Sequence, residues 1–173
     1  MRIETTRDDH LIAWLAALAV VIHIAESAIP APLPGFKPGL ANVITLLALF
    51  LGGWRAALWV TLLRLLAGSL LSGTFLTPTF FLAGGGALGA LALLALANRL
   101  PGTGPIGYSL LAACGHMAGQ FLVAWSLFIP HPALLYLLPI LMTLAVMTGL
   151  LNGIITQGAL LHLQRRRRPA TDE

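Results

Sequence analysis

The chain has 173 residues, of which 58% are hydrophobic and 9% are charged, and its mean hydropathy is +0.89. A soluble domain carries about 25% charged residues, so this composition excludes an ordinary soluble protein and indicates an integral membrane protein of one domain. The formal net charge of +4 comes largely from Arg165–Arg168, and because such a run beside a membrane helix sets orientation and contacts anionic membrane lipid, nucleic acid is not an expected partner.

Six apolar segments predict six transmembrane helices, because about 20 residues cross a bilayer. In chain order they are Leu11–Ala25, Gly39–Leu51, Ala56–Leu71, Phe75–Ala97, Pro105–Ile129 and Ala133–Leu163. The second and third are short and are separated only by the turn signal Gly52-Gly53-Trp54-Arg55, so five or seven helices remain alternatives. No cleavage site ends the first segment, which we expect to be a retained helix.

Basic residues predict the orientation of the chain. Arg55, Arg99 and Arg165–Arg168 follow the second, fourth and sixth segments, and cytoplasmic loops are enriched in Lys and Arg. We therefore expect an all-α, polytopic bundle in the inner (plasma) membrane with both termini cytoplasmic. It comprises a cytoplasmic tail at residues 1–10, a six-helix transmembrane domain at residues 11–163, and a basic cytoplasmic tail at residues 164–173.

Two predicted outer connections are not helical. The first, from Glu26 to Pro38, contains four prolines, which favour an extended segment that serves either as a lid over the bundle or as a plain connector. The second, from Ser72 to Pro78, is rich in hydroxyl groups and includes Thr74.

Pairs of small residues four apart predict close approach between helices. The pairs are Gly85/Gly89, Gly115/Gly119, Gly149/Gly153 and Ala13/Ala17. We expect the glycine pairs to pack inside the bundle, whereas the alanine pair is a candidate for contact with another protein.

The first candidate site centres on Arg64, which lies within an apolar run. An intramembrane charge usually faces a bundle interior or a watery cavity and has a partner, and the candidate partner is Glu26. The two form either a structural ion pair or part of a cavity for a polar or anionic headgroup, in which Lys37 closes over the ligand.

Two further polar pairs lie on single helix faces. Asn42 and Thr45 stand at the start of the second segment, where free backbone N–H groups can hold an anion, although interhelical hydrogen bonding explains Asn42 equally well. His116 and Gln120 are four apart in the fifth segment, and His116 is either a hydrogen-bonded core residue or a ligand or proton carrier.

The absent motifs limit the chemistry. The sequence has no phosphate-binding P-loop for ATP hydrolysis, no zinc motif and no Asp-rich helix of the kind that binds Mg²⁺-diphosphate. The single Cys114 is expected to be a packing residue. We therefore expect no metal, no cofactor and no catalytic residue, so that the chain is at most a non-catalytic subunit of a synthase.

Three motifs in order, Gly35–Leu46, Arg64–Pro78 and Gly115–Gln120, resemble the Gx transporter family, whose members are often labelled heptaprenyl diphosphate synthase component I. The family is similar to the six-helix substrate-binding components of energy-coupling-factor transporters. Those components bind a vitamin-like molecule at the outer face and dock on a membrane coupling subunit and ATPases. The resemblance implies that Ala13 and Ala17 form a docking face. Relatives beside flavin- and quinone-linked systems imply a quinone- or isoprenoid-like ligand.

These observations support three hypotheses. The first is the substrate-binding component of a transporter for a small amphipathic molecule, energised by partner subunits. The second is an accessory membrane subunit in isoprenoid or quinone synthesis with a prenyltransferase partner, and the third is a scaffold for a redox partner. The candidate ligand-binding residues are Glu26, Lys37, Asn42, Thr45, Arg64, Thr74, His116 and Gln120.

Overall fold

A computed structural model describes residues 6–28 and 39–167, and within these ranges the regular secondary structure is all helical, with no strand. The helices are α1 (Arg7–Ala28), α2 (Leu40–Leu71), α3 (Pro78–Ala97), α4 (Pro105–Val123) and α5 (Leu138–Arg167). A π-helical turn, Ala124–Phe128, extends α4, and a 3₁₀ turn, Pro132–Leu137, precedes α5. Proline begins α3 and α4, at a position where its missing N–H costs no helical hydrogen bond.

Five helices in the described part of the chain are long and apolar enough to cross a membrane. Large apolar side chains cover the outside of the bundle; Trp14 is 77% exposed and Leu88 is 72% exposed. Helices satisfy their backbone hydrogen bonds internally, so such an apolar exterior is stable in lipid and unstable in water. The chain is a multi-pass membrane protein.

Helix α2 reverses direction at Gly53, where φ is 73° and ψ is −170°. Arg64 Nη1 lies 2.9 Å from Asn42 Oδ1, although 22 residues of straight helix would separate the two residues by about 33 Å. The halves 40–52 and 54–71 therefore lie side by side. The sequence correctly predicts the break between its second and third segments. The structure has five long helices where the sequence predicts six, because α2 contains both of those segments.

Small residues determine how the helices pack. Helix α1 contacts both halves of α2 through a cluster that includes Ala16, Ala19, Ala48 and Ala56. This packing leaves the predicted docking residues Ala13 and Ala17 exposed on the outer side of α1.

Glycines bring α3, α4 and α5 into backbone contact. A Cβ added at Gly119 would overlap the carbonyl oxygen of Gly85, and one at Gly89 would overlap that of Gly115. On α5, a Cβ at Gly153 would lie 2.8 Å from the Cα of Ile106. The prediction that the glycine pairs pack inside the bundle is confirmed.

Candidate functional site

A cavity of about 610 Å³ lies near the end of the bundle where α1 ends and α3 begins, and all five helices line it. Its polar lining residues are His23, Glu26, Asn42, Arg64, Ser69, Ser72, Thr74, Thr79, His116, Gln120, Thr148 and Asn152. Apolar side chains, among them Phe80, Met117 and Leu144, complete the wall. Within the described lining, Arg64 is the one permanent cation and Glu26 the one acid.

The reversal in α2 positions Arg64. The two halves of the helix face each other, so that the guanidinium Nη1 donates a hydrogen bond to Asn42 Oδ1 at 2.9 Å. A guanidinium has five N–H donors, and no other hydrogen bond joins Arg64 to a described residue. Arg64 therefore faces the cavity with donors to spare.

Glu26 has a second role, which the sequence does not predict. Its charge attracts Arg64, but its Oε1 accepts a hydrogen bond from the backbone N–H of Leu40 at 2.6 Å. The carboxylate thereby lies at the positive end of the α2 dipole, a favourable position for an anion. The same hydrogen bond uses one of the backbone N–H groups at the start of α2, which the sequence predicts to be available to an anion.

Helix α5 holds the same end of α2 from another direction. Asn152 Nδ2 donates to the carbonyl oxygen of Gly39 at 3.1 Å. Gly39 has φ of 71°, which glycine adopts without strain. Helices α1 and α5 thus both bind the start of α2.

The close contact between α3 and α4 positions His116 and Gln120, which follow Gly115 and Gly119 directly. The imidazole of His116 lies against the backbone of Gly86, where an added Cβ would be 2.6 Å from Cε1. Its Nδ1 is buried and makes no hydrogen bond of normal geometry to any residue in the described ranges. A ligand or a water molecule in the cavity can supply the hydrogen bond that this nitrogen lacks.

The structure brings most of the predicted site residues together. Glu26, Asn42, Arg64, Thr74, His116 and Gln120 line the cavity. Thr45 does not, because its hydroxyl is buried 3.4 Å from that of Thr61. Lys37 lies outside the described residues.

Six polar lining residues are missing from the predicted set: His23, Ser69, Ser72, Thr79, Thr148 and Asn152. His23 lies three residues before Glu26, on the same helix face, and this spacing is the signal that identifies it. Asn152 and Thr156 form a polar pair in an apolar run, a pattern like that of His116 and Gln120. Residues 6–28 and 39–167 contain no group of three metal-ligating side chains.

The family described as heptaprenyl diphosphate synthase component I matches residues 15–159. The chain belongs to this family. The resemblance to the Gx transporter family drawn from the three motifs is therefore confirmed. Among solved structures, the S component of a bacterial ECF transporter is 20% identical, with a TM-score of 0.49 over 91% of this chain and 95% of the other. Comparison with curated proteins gives no match.

Proposed function

We propose that this chain is the substrate-binding membrane component of a transporter and holds a small amphipathic molecule in the cavity. The observation that carries the proposal is an arginine with spare donors that faces a space of about 610 Å³ inside an apolar bundle. A buried charge is expensive in a membrane and usually marks a functional site. Membership of the Gx transporter family supports the same function.

In this proposal the chain crosses the plasma membrane six times, with both halves of α2 as spans and both termini in the cytoplasm. The hairpin at Gly53 supports this count. The half 40–52 is about 20 Å long at helical rise, so the bilayer is thinned around it or polar groups enter at its end. The cavity then opens to the outside, because Arg55 and Arg99 lie at the opposite end of the bundle.

Other subunits supply the energy, because the sequence has no phosphate-binding loop. We propose a membrane coupling subunit and ATPases as partners, docked on the outer face of α1. Ala13 and Ala17 support this location because both are exposed. A groove formed by Asp9, Arg55 and Trp59 lies beside Ala13.

The family description favours one alternative, an accessory subunit of a prenyl diphosphate synthase. In that case the protein would co-purify with a soluble, Asp-rich prenyltransferase subunit. The lining of the cavity argues against catalysis by this chain itself, because Glu26 is the one carboxylate in its described part and it is bound to the Leu40 N–H.

The test is ligand retention. Wild-type protein, Arg64→Ala and the matched control Arg99→Ala are purified from membranes, and the small molecules released on denaturation are compared by mass spectrometry. Arg99 is exposed at the far end of the bundle. We expect a molecule enriched in wild type and in Arg99→Ala and lost from a folded Arg64→Ala protein. Equal retention by both variants would refute the proposal.

A further inference from the structure

The two charged side chains in the described lining, Glu26 and Arg64, differ in how fully their hydrogen-bonding capacity is used. The carboxylate of Glu26 already has a strong hydrogen bond of 2.6 Å from Leu40 and the favourable field of a helix N-terminus. The guanidinium of Arg64 is bound to the neutral oxygen of Asn42 at 2.9 Å. Among the described lining residues, Arg64 therefore keeps several unused N–H donors, while Glu26 already accepts a hydrogen bond from the chain itself.

From this imbalance we propose that the ligand is a small organic monoanion with an apolar body, whose acidic group pairs with Arg64. The inference rests on the proposed function and narrows it. A carboxylate accepts two parallel hydrogen bonds from a guanidinium, and this charge-assisted pair is both strong and specific in geometry.

More highly charged headgroups do not fit this lining. A diphosphate ester carries more than one negative charge, and the described lining offers it one permanent cation, with the carboxylate of Glu26 in the same cavity. Removing an uncompensated charge from water is strongly unfavourable, so a diphosphate would need further cations or a metal. A cationic ligand is disfavoured as well, because the positive charge of Arg64 repels a cation in the same cavity.

The rest of the wall determines the body of the ligand. Phe80, Met117 and Leu144 provide apolar surface, and the aromatic ring and thioether tolerate varied shapes. Gln120 and the buried Nδ1 of His116 provide hydrogen bonds to a neutral polar group. The matching ligand has an acid at one end, a hydrocarbon or ring portion, and a neutral hydrogen-bonding group.

Four probes with one common body separate charge from shape. The probes are 4-phenylbutyrate, 4-phenylbutanamide, 4-phenylbutylammonium and 4-phenylbutyl phosphate. Equilibrium dialysis against protein in lipid nanodiscs measures binding, with empty nanodiscs as the blank for partition into lipid. We expect the carboxylate to bind about tenfold more tightly than the amide, since a hydrogen bond between charged groups is worth that much. The ammonium and phosphate probes are expected to bind more weakly than the carboxylate.

Two variants test which residues set the preference. In Arg64→Gln the carboxylate and amide should bind within about twofold of each other, because the cation is gone. In Glu26→Gln the carboxylate should bind several-fold more tightly, because a like charge is removed while the side-chain oxygen still accepts from Leu40. Arg99→Gln should match wild type, and gel filtration should show every variant folded.

The outcomes for the two proposals are distinct. If the amide, ammonium or phosphate probe binds as tightly as the carboxylate, the monoanion assignment is overturned while a ligand-binding cavity stands. A wild-type protein that takes up none of the four above the blank also overturns the assignment. Retention of a molecule by wild type but not by Arg64→Ala decides separately on the transporter function.

Discussion

The contact between α3 and α4 should not tolerate even one methyl group. Gly119→Ala would place a Cβ 2.8 Å from the carbonyl carbon of Gly85 and in overlap with its oxygen. Both contacting atoms belong to helical backbone, which cannot rotate aside as a side chain does. The helices must therefore separate, and they lose packing contacts along the shared face.

The magnitude follows from two opposing effects. Overpacking of a close interface costs about 1–3 kcal/mol, and a backbone contact lies at the upper end. Alanine returns up to about 1 kcal/mol through its higher helix propensity. A net loss of about 2 kcal/mol should lower the melting temperature by about 4–8 °C for a chain of this size.

The assay is thermal unfolding in detergent, followed by circular dichroism and by labelling of the half-buried Cys114 on α4. Gly158→Ala is the matched control, because a Cβ there meets no atom within 4 Å. This control should unfold at or slightly above the wild-type temperature. If Gly119→Ala melts at or above the wild-type temperature, the close α3–α4 contact is refuted.

Two further predictions concern Asn152, which lines the cavity, and Thr45, which does not. Asn152→Ala removes the hydrogen bond to the Gly39 carbonyl and should destabilise the protein by about 1–2 kcal/mol in the same melting assay, whereas Gln157→Ala at an exposed position should have no effect. Thr45→Val should leave ligand retention unchanged, because Thr45 faces Thr61 and not the cavity; loss of retention on this change would return Thr45 to the site.

Local patterns predict the helices well. The apolar segments give the positions of α1, α3, α4 and α5, because a membrane span needs a long run of apolar residues that is visible in the sequence alone. Gly52 and Gly53 give the reversal in α2, since only glycine adopts the φ of 73° found at Gly53 without strain.

Partners distant in the sequence are harder to predict. The hydrogen bond from Asn152 to Gly39 joins residues 113 positions apart, and nothing in either segment indicates the other. For the same reason the sequence predicts the attraction between Arg64 and Glu26, the obvious opposite charge, but not the hydrogen bond from Arg64 to Asn42. Thr45 shares a helix face with Asn42, but one turn further along the helix this face contacts Thr61 and not the cavity.

Residue spacing nevertheless locates much of the cavity. Polar side chains in membrane spans point away from lipid, so Asn42, Arg64, His116 and Gln120 converge whichever helices are neighbours. What spacing does not reveal is how each charge is satisfied. That information decides the chemistry of the ligand, and it comes from the contacts of Glu26 and Arg64.

The account depends on access from water to the cavity, and cysteine labelling in intact cells measures this directly. In a Cys114→Ala background, Gln120→Cys lines the cavity and Leu88→Cys faces lipid. We predict that a membrane-impermeant maleimide added outside the cells labels the cysteine at position 120 and leaves the one at position 88 unlabelled. If the cysteine at position 120 reacts no faster than the one at position 88, the cavity is closed to the outside and the central claim is contradicted.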